Sequence, residues 1–266
     1  MTPQIRESSV KTGLCTIAFR DRPFEAVLDL AVAAGFDGVE PWGKPDHTPE
    51  PFDADVIRKY SDAVKERGLE VAQYGSYANP TDELFDQQMA DAIAISEIYE
   101  TDKIRVWVGS CGSADADDAQ WAKAIEGFAT FCDCAAEKGM SLVVEMHNGR
   151  LSDTVDGCVR LIEGVGRDNF RMNYQPMYTE TPDQILDAAQ QISPFVTTVH
   201  AQNYVETGKN VRSLISEGLV EYRTVIGIFR AFGFDGYLEV EFVKEDDPES
   251  ALKADAAFLR ELCDSL

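Results

Sequence analysis

SLVVEMHNGR, residues 141–150, decides how the rest of the chain is read. Leu142, Val143 and Val144 form an unbroken apolar run, the pattern of a strand buried on both faces. The run stops at Glu145 and His147. In an extended chain these two are i,i+2 neighbours and face the same side. A carboxylate and an imidazole at the end of such a strand do not suit a packed core. They suit the carboxyl-terminal rim of a parallel barrel, where strand ends carry the chemistry.

Outward from this stretch the same strand-then-helix unit repeats. Strands are expected near 13–19, in GFDGVEPW, in LEVAQYGS, in KIRVWVGS, in SLVVEMH, in FRMNYQP, in VTTVHAQNY and in GYLEVEFV. Helices are expected between them, opened by Pro23, Asp53, Asp82, Asp117, Thr154 and Thr181 and stopped by glycines such as Gly35, Gly68 and Gly139. Gly35-Phe36-Asp37-Gly38 and Gly233-Phe234-Asp235-Gly236 predict one tight helix-to-strand turn used twice. Eight units in 266 residues with no linker predict one domain over 1–266, a single (β/α)8 TIM barrel of the α/β class.

There are 24 Lys plus Arg against 47 Asp plus Glu, a formal charge of -23. Phosphate backbones and anionic membranes need clustered cations, so nucleic acid and membrane partners are excluded on this ground. The acidity is dispersed and only ten bases are Lys. That resembles proteins of salt-loving organisms, in which screening relieves self-repulsion. The six cysteines include no C-x-x-C pair, which argues against thiolate zinc and a disulfide framework. No apolar leader or membrane-length run occurs, so a soluble, cytoplasmic chain is expected. Homo-oligomerisation stays open.

Polar residues recur at i,i+2 near strand ends: Arg105 with Trp107, Glu145 with His147, Asn173 with Gln175, His200 with Gln202, Glu239 with Glu241. Five such pairs in consecutive units point to a polar site at the barrel mouth. One ligand-type group per unit selects Glu145, Gln175, His200 and Glu241. Three oxygens and one imidazole suit Mn2+, Mg2+ or Co2+ rather than thiolate-loving zinc. Such a site would polarise a carbonyl and stabilise an enediolate while Glu145 and Glu241 move the proton.

These motifs, from GFDGVEPW to EFV, resemble the xylose isomerase-like barrel superfamily, specifically the sugar phosphate isomerase/epimerase group with its tagatose-type epimerases, hydroxypyruvate isomerases and inosose dehydratases. The resemblance implies metal ligands at Glu145, His200 and Glu241, where the family has Glu, His and Glu. Its second ligand, an Asp, is Gln175 here, a departure that removes one negative charge. EFV matches the family's last strand end and favours Glu241 over Glu239; parity alone allows either.

Further substrate-binding candidates are Glu40, Trp42, His47, Arg105, Trp107, His147, Asn203 and Arg212. His147 reads as a substrate contact or a supporting group, against a merely structural histidine. His47 reaches over the mouth or is a solvated loop residue. Trp42 and Trp107 stack on a sugar face or pack in the core. Arg105 holds a substrate oxygen or pairs with Glu40 or Glu145. Lys209 and Arg212 take an anionic group or are simply solvated. The expected function is a metal-dependent isomerase or epimerase of a sugar-like small molecule. The alternatives are a lyase or dehydratase on a related compound and a non-catalytic sugar-binding barrel. The DNA-repair endonuclease branch is set aside, because three histidines cannot build its metal cluster.

Overall fold

The computed structural model describes residues 10–265. β1 (Lys11–Cys15) is followed by α1 (Phe24–Ala34), β2 (Gly38–Glu40) by α2 (Ala54–Glu66), and a broken third strand, β3 (Glu70–Val71) with β4 (Tyr74–Gly75), by α3 (Phe85–Tyr99). The chain continues through β5 (Lys103–Val106), α4 (Asp118–Ala136), β6 (Ser141–Glu145), α5 (Val155–Val165), β7 (Phe170–Tyr174), α6 (Pro182–Ile192) and β8 (Val196–Ala201). A small antiparallel ribbon, β9 (Asn203–Tyr204) with β10 (Arg212–Ser213), fills the next connection before α7 (Tyr222–Ala231), β11 (Tyr237–Val240) and α8 (Pro248–Asp264).

All barrel pairings are parallel. β3 pairs with β2 and β4 pairs with β5, so the third strand changes partner between its halves and closes the ring. The result is a single (β/α)8 barrel. The strand expected over 13–19 ends at Cys15; Thr16–Phe19 is a 3-10 turn that starts the loop to α1. The apolar character of that segment serves loop packing, with Phe19 buried, rather than strand pairing.

Local chemistry explains the helix limits. Asp117 and Thr181 each close a capping box, with Gln120 and Gln184, and the Thr154 side chain accepts from Gly157 N–H. The repeated GFDG turn is the same device twice. Gly35 and Gly233 adopt φ of 78° and 89°, and Phe36 and Phe234 donate back to Ala31 and Phe229 carbonyls.

Strand alternation then divides the residues. Leu14, Val39, Ile104, Val144, Met172, Val199 and Val240 join the core between barrel and helices. Residues of opposite parity point into the barrel, and many there are polar and buried: Gln73, Asn173, Thr198 and Glu239, with Glu40, Arg105, Glu145 and His200 nearer the mouth.

Candidate active site

The site is built on the ends of seven barrel strands. His200, on β8, is fully buried. Its Nε2 lies 2.7 Å from Glu40 Oε2, and its Nδ1 faces Glu145 Oε1 at 3.8 Å and Glu241 Oε1 at 3.6 Å. Glu40 fixes the ring from one side and leaves Nδ1 toward the two other carboxylates. Arg105, on β5, donates from Nε to Glu40 Oε1 and from Nη1 to Glu145 Oε2, both at 2.6 Å. That settles the alternatives for Arg105: it pairs with both glutamates at once.

Gln175 sits just past β7 with its amide end among these groups. With the oxygen turned inward, Oε1 is 3.3 Å from His200 Nδ1. With the amide reversed, its nitrogen donates to Glu241 Oε2 at 2.6 Å and Glu145 Oε1 at 2.9 Å. The second orientation gives both carboxylates a donor without an ion. The first presents only lone pairs to a common centre.

One layer deeper, Gln73 lies in the break between β3 and β4. Its Nε2 donates to Glu40 Oε2 at 2.7 Å and Glu239 Oε2 at 2.8 Å, and its Oε1 accepts from Thr198. The two candidate glutamates of the last strand therefore part company. Glu241 faces the mouth and Glu239 supports the layer below it. Cys15, at the end of β1, also lies beside Glu40 and His200.

Charges follow from this geometry. Burial would raise Glu40, but the Arg105 guanidinium and the His200 ring bring it down to about 2. Burial works likewise on Glu145, and Arg105 and His200 again outweigh it, so Glu145 is held below the usual carboxylate range. Burial opposes a charged His200, yet Glu40 and Glu241 raise it well above its ordinary value. Burial lifts Glu241 to about 7. Burial and the neighbouring Glu40 push Glu239 well above the usual carboxylate range.

The outer candidates separate. Trp107 stacks on Tyr77 with ring centroids 5.3 Å apart and touches the His147 ring at 4.7 Å. His147 Nδ1 donates to the Asn148 carbonyl at 2.8 Å, and Nε2 has no hydrogen-bond partner among the described residues. Trp42 donates from Nε1 to the Tyr77 hydroxyl at 2.7 Å. Arg212 lies over the Tyr204 and Phe242 rings.

Two expectations are corrected. His47 is buried, and both its nitrogens are engaged, with Thr16 Oγ1 and the Arg22 carbonyl, each at 2.9 Å. It clamps the loops after β1 and β2 and has no nitrogen left for a substrate. Asn203 is also buried: its Nδ2 donates to Ile215 and Val220 carbonyls and its Oδ1 accepts from Tyr204 and Val220. It braces the connection after β8. A polar side chain in a loop above the barrel mouth carries no signal in the sequence that separates a site residue from a loop brace.

Gln73 and Gly75 went unselected. Gln73 was legible as a lone amide inside an apolar strand. Gly75 gave no signal, yet a Cβ there would lie within 2.8 Å of Arg105 Nη2 and closer still to Glu40 Oε1. Only glycine leaves room for that ion pair.

Comparison with known proteins places this geometry. The model of the xylose isomerase-like TIM barrel matches residues 28–262. The chain belongs to this family. A 3-dehydroshikimate dehydratase of Bacillus anthracis is 25% identical over 201 residues, 73% of this chain and 72% of its own. An inosose dehydratase of Geobacillus thermodenitrificans is 24% identical, over 97% and 99% of the two chains. Among solved structures, a Mycobacterium smegmatis barrel in complex with magnesium superposes with a TM-score of 0.75 at 17% identity, covering 96% and 97%. An L-ribulose 3-epimerase gives 0.74 at 17%, covering 96% and 95%. The two dehydratases and the epimerase are named enzymes, and this chain is an enzyme of a family that holds both epimerases and dehydratases. Among the described residues no helix is long and apolar enough to cross a membrane.

Proposed function

We propose that the protein is a lyase that removes water from a polyhydroxylated carbonyl compound, using a divalent ion held by Glu145, Gln175, His200 and Glu241. The observation that carries the proposal is their convergence: ligating atoms of Glu145, His200 and Glu241 lie within 4.8 Å of one another, all buried, with the Gln175 oxygen able to join them. Two carboxylates, an amide oxygen and an imidazole fit Mn2+, Mg2+ or Co2+. Bound there, such an ion would polarise the substrate carbonyl and acidify the neighbouring C–H.

The remaining work falls to the chain. Arg105 fixes Glu145 as an ionised carboxylate, and a carboxylate so well satisfied is a poor proton acceptor. Glu241 has no guanidinium partner, so of the two it is the freer to accept a proton. His147, on the same strand end as Glu145, presents Nε2 on the rim with no hydrogen-bond partner among the described residues. Reversible epimerisation needs two matched proton carriers, as was expected of Glu145 and Glu241. The asymmetry between them favours elimination. One base takes the proton next to the carbonyl. The C–O bond one carbon further breaks, its oxygen leaves with a proton as water, and a C=C bond remains. The dehydratase names of both curated relatives point the same way. The isomerase or epimerase reading shares the first half and returns the proton.

The test supplies the purified protein and Mn2+ with 3-dehydroshikimate or an inosose. Elimination gives rising ultraviolet absorbance from the new conjugated double bond, at least a hundredfold slower in Glu241→Gln. Deuterium exchange from solvent with no absorbance change would move the assignment to epimerisation.

A further inference from the structure

The rim carries cations that the catalytic centre does not use. Lys44, in the loop after β2, lies over Tyr77 with Nζ 4.2 Å from the ring centroid. Arg150, in the loop after β6, lies over Trp107 with Cζ at 4.6 Å and donates from Nη1 to the Gly109 carbonyl at 2.7 Å. Arg212, on β10, lies over Tyr204. In a chain of 47 carboxylates, none of the three joins an ion pair among the described residues. Each is held on an aromatic face instead, which fixes the cation while leaving donor edges free.

Arg150 is the one of the three that lies over a ring whose polar edge has no partner. It packs on Trp107, and Trp107 touches His147, two residues beyond Glu145. The Trp107 indole N–H is buried without a partner. A buried N–H left unmade is costly, so a ligand acceptor has a reason to be there. With a net charge of -23, the chain as a whole repels an anionic substrate unless rim cations offset it. A neutral polyol needs no such offset.

We propose that the substrate carries a carboxylate and that Arg150, with the Trp107 N–H, seats it. This rests on the reading of the mouth as a site for polyhydroxylated carbonyl compounds and narrows that class to keto acids. The occupied Nη1 leaves Nη2 and Nε to meet the carboxylate oxygens. A planar guanidinium already flat on a ring loses little freedom in doing so.

The experiment measures equilibrium binding, so it does not depend on turnover. The whole protein with Mg2+ is titrated with the cyclic keto acid named above, its methyl ester and glucose 6-phosphate. The acid should bind at least tenfold more tightly than the ester. Arg150→Met, which keeps an apolar stem over Trp107, should abolish that preference, and Arg150→Lys should restore part of it. Equal binding of acid and ester overturns the proposal. So does a preference that survives Arg150→Met but falls in Arg212→Met, since the anion then sits elsewhere. Tighter binding of the phosphate, or no binding of the acid, overturns the carboxylate assignment. An acid preference that depends on Arg150 without any elimination would uphold the seat and fault only the lyase reading.

Discussion

His200 is the hinge between support and chemistry. One nitrogen is spent on Glu40, and that bond is what directs the other toward Glu145, Gln175 and Glu241. Arg105 holds Glu145 in the same way, and it is buried, with its ion pairs among the described residues made to Glu40 and Glu145 alone. Arg105→Met should therefore cost about 3–5 kcal/mol in urea unfolding, because two carboxylates lose their counter-ion. A loss under about 1 kcal/mol would show that water takes over the role, as at exposed pairs. Gln175 supplies a second test at this scale. Its reversed amide can stand in for a cation by donating to both carboxylates. Gln175→Glu removes that donor and adds a charge, so metal-stripped protein should melt several degrees lower while saturating Mn2+ should raise its melting temperature more than the parent's. An equal rise in both proteins would mean that Gln175 does not face the ion.

At the scale of elements, the connection after β8 is anchored by Asp255 on α8, which accepts from Ile215 N–H at 2.7 Å. Its second oxygen is buried without a partner. Burial lifts this carboxyl to about 7, against the pull of the Ile215 bond. The folded chain then binds the proton more tightly than the unfolded chain, whose pKa is about 3.9. The stability this contributes is complete below about pH 4 and is lost as pH rises through about 7. Asp255→Asn keeps an acceptor for Ile215 and cannot ionise. It should raise the melting temperature at pH 8 and leave it unchanged at pH 4; no gain at pH 8 would show that Asp255 is stable as an anion.

Legibility in the sequence divides at the same scale. Helices with caps and glycine stops, and strands with apolar runs, came through because each is set by local chemistry. The break in the third strand did not: Glu70, Val71, Tyr74 and Gly75 read as one segment, and only the need to pair with β2 below and β5 above splits it. The mouth residues were legible by parity. His47 and Asn203 were not separable from them, since a side chain's loop partners leave no period in the sequence.

For the whole molecule, the charge of -23 sets the response to salt. We infer that screening stabilises the fold, since the Debye length falls from about 10 Å at 0.1 M to about 3 Å at 1 M. The melting temperature should rise between 0.1 M and 2 M potassium chloride, and a flat response would remove the link between composition and salt adaptation. The barrel brings together groups from several strands, and the account stands on Glu145, Gln175, His200 and Glu241 holding one ion. Equilibrium dialysis of the metal-stripped protein against Mn2+ tests this directly. One ion per chain is expected, with affinity at least a hundredfold weaker in His200→Ala and in Glu241→Gln while circular dichroism is unchanged. Absence of bound Mn2+ in the parent, or full affinity in both variants, would contradict the account.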